Sequence, residues 1–308
     1  MARLPVSPDA LAHLAGGALP ALALRPLLAT ALDGLGCALC LHRMQPRRPT
    51  DWQPGLSMPP AQLDALLELL LTARPGRAAG WLTVSFDDGY ADSAEYVRTR
   101  APRFPEVEFL FFVCPEKLEQ RAGFRWDLAE QTLRAGAPLP AARALCDAPV
   151  DLTSENARAD LRALCTQPDF QLATLDEVRE LARLPNLTLG NHTNLHLSAT
   201  SFADALVEAD YRRSTQDFNR LFGLQAQFAF PYGTPRHHFA PRHVEALHAL
   251  GDFTIWTTEA RPYRLAERGP RAVLPRFPVN GSRSAKALAG WIAARSLDFR
   301  VRGRTRAP

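Results

Sequence analysis

Two adjacent carboxylates at the end of an apolar run are the sharpest chemical feature of this 308-residue chain. Leu82 to Phe86 reads as a buried strand, and Asp87-Asp88-Gly89 follows it directly. Neighbouring side chains on a strand point to opposite faces, so both acids serve one site only if the strand end twists. The plainer reading is a helix N-cap, since a helix is expected from about Asp92 to Arg100. A second feature, Gly190-Asn191-His192-Thr193-Asn194-Leu195-His196, also follows a short strand. Its H-x-x-x-H spacing puts two imidazoles on one side of a helical turn, which suits a shared metal ion. The rival is chance pairing on a surface helix. Thr193 stands where the H-E-x-x-H protease signature needs a glutamate, so that signature is absent.

Two histidines and one aspartate together make a three-ligand site with open positions for water and substrate. That set suits zinc, and also iron, cobalt or manganese. The remaining aspartate is then left to act on the bound water. Two more runs carry polar groups at strand ends. Phe228-Ala229-Phe230-Pro231-Tyr232-Gly233 is a strand entering a turn, which simple turn chemistry also explains. In Leu274-Pro275-Arg276-Phe277-Pro278-Val279 a lone arginine sits in an apolar strand. A buried arginine must find an anion, and a strand-end carboxylate would serve.

The elements that must position these groups are short apolar strands alternating with helices. Strands are expected at Cys37 to Met44, Leu82 to Phe86, Val107 to Val113, Leu187 to Leu189, Gln227 to Phe230, Phe253 to Thr257 and Val273 to Phe277. Helices are expected over residues 9–33, with interruptions, and at Ala61 to Ala73. Others are Asp92 to Arg100, Ser201 to Leu221 closed by Gly223, Arg242 to Leu250 closed by Gly251, and Ser284 to Ala294. The stretch from Pro115 to Pro185 reads as mostly helical, with a capping box of Thr174 and Glu177. This alternation predicts a parallel sheet covered by helices, and the length favours a closed or nearly closed barrel. Reactive groups then belong at the C-terminal ends of the strands.

With these runs in hand, the chain resembles the polysaccharide deacetylases with the NodB homology domain, carbohydrate esterase family 4. Ser85-Phe86-Asp87-Asp88-Gly89 is similar to that family's T-F-D-D-G, and His192-Thr193-Asn194-Leu195-His196 to its H-[S/T]-x-x-H. Phe230-Pro231-Tyr232-Gly233 and Leu274-Pro275-Arg276-Phe277-Pro278 resemble its later motifs, and Leu41-His42-Arg43-Met44 its opening Y-H-R-V. The resemblance spans roughly residues 36–281. It implies an α/β fold, a distorted (β/α) barrel, and leaves a helical N-terminal extension (1–35) and a C-terminal helix and Arg-rich tail (282–308) on either side. It also implies one divalent metal ion, zinc above cobalt, manganese or iron, and removal of an acetyl group from an N- or O-acetylated sugar. Carried over by position, Asp87 is the catalytic base, and Asp88, His192 and His196 are the metal ligands. The Tyr232 backbone N–H helps hold the oxyanion, and Phe112 belongs to the core.

Two departures accompany the resemblance. Ala229 stands where many members carry an arginine that braces the base, and Arg276 is the natural replacement. No histidine follows His248, so the family's C-terminal general acid is missing. His42, His237 and His238 are the candidate histidines for that role, with protonated Asp87 itself or a solvent water as the other proton donors. A deformylase or amidase acting on another small C–N bond, or a decayed sugar-binding homologue, are the alternative readings.

Composition narrows the remaining classes. Hydrophobic residues make up 46% and charged residues 22%, which argues against a disordered chain. The formal net charge is +4, and every basic residue except Lys117 and Lys286 is arginine; that bias alone does not call for a nucleic-acid partner. Five cysteines disfavour a disulfide scaffold, and the lone Cys37-x-x-Cys40 reads as buried small hydrophobes. The apolar run Ala10 to Leu24 is too short to span a bilayer and makes a poor signal peptide, so a cytoplasmic chain is expected. The final arginines read as a solvated, disordered end able to touch anionic lipid headgroups.

Overall fold

Seven parallel strands close into a barrel in the computed structural model, which describes residues 21–46, 55–74, 80–147, 155–223 and 226–304. The strands are β1 (Leu35–Leu41), β2 (Leu82–Phe86), β3 (Glu108–Val113), β4 (Leu187–Asn191), β5 (Gln227–Ala229), β6 (Thr254–Thr258) and β8 (Val273–Pro278). They pair in sequence order from β1 to β6, then β6 with β8 and β8 with β1. The barrel expected from the alternating pattern is therefore present. One further strand lies outside that expectation: β7 (Tyr263–Arg264) adds antiparallel to the start of β1. With only two residues it carries no periodic signal.

Strand alternation sorts the side chains. Ala38, Leu110, Phe112, Ala229, Trp256 and Leu274 fill the barrel interior. Their neighbours Cys37, Leu39, Val84, Phe86, Phe109 and Phe111 pack outward under the helices. Cys37 and Cys40 are buried free thiols, as expected of small hydrophobes. Thr83 and Ser85 share the inward phase, and Asp87 continues it beyond the strand. Gly190 is required where β4 passes β3, because a Cβ there would lie 2.3 Å from the Phe112 ring.

Helix Pro60–Ala73 follows β1, Ala91–Arg100 follows β2, and, among the described residues, five α-helices between Pro115 and Leu181 follow β3. The Thr174–Glu177 capping box forms, with Thr174 N donating to Glu177 at 2.7 Å and Glu177 N to Thr174 Oγ1 at 3.2 Å. Of the expected helix 9–33, Ala21–Ala31 is helical and residues 9–20 lie outside the described residues. The last helix corrects the expectation of a short helix and a disordered tail: it runs from Ala285 to Arg304. Leu288, Ala289 and Ile292 share a core with Leu24 and Leu28 of the first described helix. Arg300 donates to Ala31 O at 2.9 Å, and also to Asp33 O. Ala31 ends the earlier helix and Asp33 lies in the turn just after it, where a cation is favoured by the helix dipole. Arg306 lies outside the described residues. No described helix is long and apolar enough to cross a membrane.

Candidate active site

Asp87 and Asp88 leave β2 at the C-terminal mouth of the barrel. Asp88 has φ 75 and Gly89 φ 79. The left-handed turn at Asp88, a conformation aspartate tolerates better than most residues, cancels the strand alternation and brings both carboxylates to one site. His192 and His196 follow β4, but the expected helical turn is absent. The two imidazoles meet through a loop in which Thr193 and His196 take φ 64 and 52. Buried Asp210 shapes that loop by accepting the N–H of Asn194 at 3.1 Å and of Leu195 at 3.2 Å. Thr193 Oγ1 accepts the His196 N–H at 3.0 Å, and Asn191 Oδ1 the Thr193 N–H at 2.8 Å. Asp210, on helix Asp204–Phe222, offers no sequence signal beyond an acid on an amphipathic helix.

Asp88 Oδ1 lies 3.2 Å from His196 Nε2 and 3.6 Å from His192 Nε2, and all three residues are buried. His192 Nδ1 sits 2.8 Å from Ala229 O, which fixes the ring and turns Nε2 toward the aspartate. Burial holds the His192 imidazole below its usual pKa. It holds that of His196, near the Lys117 ammonium, at about 3. Two neutral imidazoles thus face a carboxylate whose own pKa burial raises. Asp88 Oδ1 makes no hydrogen bond to the described residues. A buried carboxylate oxygen facing two ring nitrogens fits a divalent cation, which would supply the missing charge and use all three ligand atoms.

Asp87 is held differently. Arg276, fully buried on the inward face of β8, donates Nη1 to Oδ1 at 2.6 Å and Nη2 to Oδ2 at 2.9 Å. Nη1 also donates to Ser85 Oγ at 2.9 Å, and the guanidinium lies 5.3 Å from the Phe112 ring centroid. Burial pushes Asp87 up, but the Arg276 guanidinium and His192 outweigh it and hold the carboxyl well below the usual range. The sequence reading of Arg276 as the partner of Asp87 thus matches the observed pairing. Cys40, on the inward face of β1, donates its thiol to Asp87 Oδ2 at 3.5 Å, a contact the sequence pattern does not reveal.

Of the three histidines considered as acids, only His42 joins the acids. Ligand atoms of Cys40, His42 and Asp87 all lie within 4.8 Å of one another. Burial lowers the His42 pKa, partly offset by Asp88 and Asp87. His238 accepts the Thr234 N–H at 3.2 Å and stands beside Tyr232, with the His237 ring next to its own. Tyr232, at φ 60, leaves 43% of its surface exposed, its ring 5.1 Å from that of His196.

No family model and no curated protein matches this chain. Solved structures do. A polysaccharide deacetylase from Bacillus cereus superposes with a TM-score of 0.54 at 11% identity, covering 83% of this chain and 68% of that one. A deacetylase from Streptococcus pyogenes, solved in complex with acetate, gives 0.55 at 12%, covering 82% and 96%. A de-N-acetylase from Aggregatibacter actinomycetemcomitans gives 0.54 at 13%, covering 84% and 100%. The chain therefore has the NodB-type polysaccharide deacetylase fold.

Proposed function

We propose that this chain is a metal-dependent hydrolase that removes acetyl groups from an N- or O-acetylated sugar. The observation that carries this assignment is the convergence of Asp88, His192 and His196 beside an Asp87 braced by Arg276. The fold shared with polysaccharide deacetylases supports it.

Asp88, His192 and His196 would hold one divalent ion, zinc being the first choice for two imidazoles and a carboxylate. When bound, such an ion polarises an acyl carbonyl and makes water a stronger acid. Asp87 stays ionised at neutral pH because of Arg276, and it accepts the proton of the attacking water. The Tyr232 backbone N–H, set at the mouth by its left-handed conformation, donates to the developing oxyanion. The proton that Asp87 takes from the water then passes to the leaving amine or alcohol, relayed by the neutral His42 imidazole beside it, which stands in for the missing C-terminal histidine.

Acetate release from a panel of N- and O-acetylated sugars, free and linked, tests the assignment, with and without chelator and added Zn2+. Activity that disappears with chelator and returns with Zn2+ is expected. His192→Ala should lose metal and activity together. Full metal content in His192→Ala, measured by elemental analysis, would sink the ligand assignment.

A further inference from the structure

The proposed function makes His196 a metal ligand, and the role inferred here for its neighbours rests on that assignment. A metal-binding histidine is ordinarily oriented by a hydrogen bond from its second ring nitrogen. His192 has that bond, to Ala229 O. Buried His196 Nδ1 makes none among the described residues. Rings hold it instead. The Trp126 ring is 4.8 Å from His196 between centroids, Phe124 5.5 Å, Tyr232 5.1 Å and His192 4.9 Å. The backbone of His196 is also in the left-handed region, which a non-glycine residue keeps only where its surroundings over-determine it. Packing must therefore do for His196 what a hydrogen bond does for His192. Phe124 and Trp126, stacked on each other at 4.4 Å, supply two of those four rings as one unit.

A buried ion cluster holds this pair, and no catalytic step uses it. Arg43, next to His42 at the exit of β1, is completely buried. It donates Nη1 to Glu130 at 2.9 Å and Nη2 to Asp127, both on helix Arg125–Arg134. Its guanidinium lies 5.0 Å from the Tyr90 ring centroid. The Tyr90 hydroxyl donates to Asp127 Oδ1 at 3.0 Å and accepts the Trp126 indole N–H at 2.9 Å. Asp127 Oδ2 accepts the Phe124 N–H at 3.2 Å. One chain of contacts thus runs from Arg43 through Asp127 and Tyr90 to both rings that press on His196. Tyr90 itself stands two residues after Asp88.

We propose that Arg43 and Tyr90 are positioning residues: acting through Asp127, they clamp the Phe124–Trp126 pair against His196 and so set the ligand geometry. Arg43→Met strands two buried acids and is a poor test, because it endangers the fold. Tyr90→Phe removes only the hydroxyl between Asp127 and the indole and leaves both Arg43 ion pairs in place. The full chain and Tyr90→Phe are loaded with Co2+, and the visible spectrum and Co2+ dissociation constant are measured. Tyr90→Phe is expected to change the ligand-field bands and weaken Co2+ binding by about tenfold, the low end for loss of a residue supporting a metal ligand. Trp126→Phe, which lacks the indole N–H, should change the bands in the same direction. An unchanged spectrum and affinity in Tyr90→Phe, with only a lower melting temperature, overturns the proposal, since the cluster would then be structural alone. Absence of Co2+ binding by the unaltered chain overturns the metal assignment and this proposal with it.

Discussion

Arg276→Met probes the base directly. The guanidinium makes two charge-assisted bonds to Asp87, at 2.6 and 2.9 Å, and both side chains are buried. Methionine keeps much of the stem volume and removes the charge and both donors. An opposite charge at this range lowers an aspartate pKa by about 1–3 units. Removing it should raise the Asp87 pKa by about that much, equivalent to about 1.4–4 kcal/mol. Asp87 must be ionised to accept a proton, so the acidic limb of the pH profile of kcat/KM moves to higher pH by about 1–3 units. Stability follows the same sign. Because its folded pKa is depressed, Asp87 contributes stability that is present above its unfolded pKa of about 3.9 and is lost as pH falls through the folded value. That contribution disappears in the variant, and breaking a buried pair costs about 3–5 kcal/mol, so Tm falls as well. Arg276→Lys should rescue only partly, since lysine lacks the planar two-donor fork. The assay is acetate release across pH, with metal content checked at each point. An acidic limb that stays in place at full metal content, with only Tm reduced, refutes the bracing argument.

Four other variants test the remaining roles and the packing beneath them. Asp87→Asn should keep the metal and stop turnover, whereas Asp88→Asn should weaken metal binding; elemental analysis showing the reverse would exchange their assignments. His42→Gln should lower kcat by about 10²–10⁴ at unchanged metal content, the usual range for a group that moves a proton in the transition state. An unaltered kcat would leave leaving-group protonation to another donor. Gly190→Ala should destabilise by about 1–3 kcal/mol in denaturant unfolding, because its Cβ meets the Phe112 ring on which Arg276 rests. Wild-type stability there would mean that Phe112 moves without strain.

Once the strand pairings are known, period-two alternation puts Ser85, Asp87, Cys40 and Arg276 on one inward row, because a parallel strand cannot turn one side chain without turning its neighbours. Phase alone does not tell which inward groups touch. Arg276 could be matched to a carboxylate because a buried guanidinium needs an anion, while Cys40 looked like any small hydrophobe. Spacing misled at His192 and His196. An i, i+4 pair reads as a helix face, but here a loop held by Asp210 and Asn191 joins the two rings. The C-terminal arginines failed for a similar reason: the carbonyl partners of Arg300, Ala31 and Asp33, lie far away in sequence.

Residue type and order were enough to specify the seven barrel strands, the carboxylate and imidazole runs at their ends, and the chemistry those runs could support. Local propensity and strand phase act over a few residues, and they are written in the chain. Only the tertiary structure decided that Asp88 turns left-handed toward the histidines, that His42 rather than His237 or His238 faces Asp87, and that Arg43 and Tyr90 stand behind Trp126. Most of those contacts join elements tens of residues apart, so closure of the barrel had to bring them together before they could form.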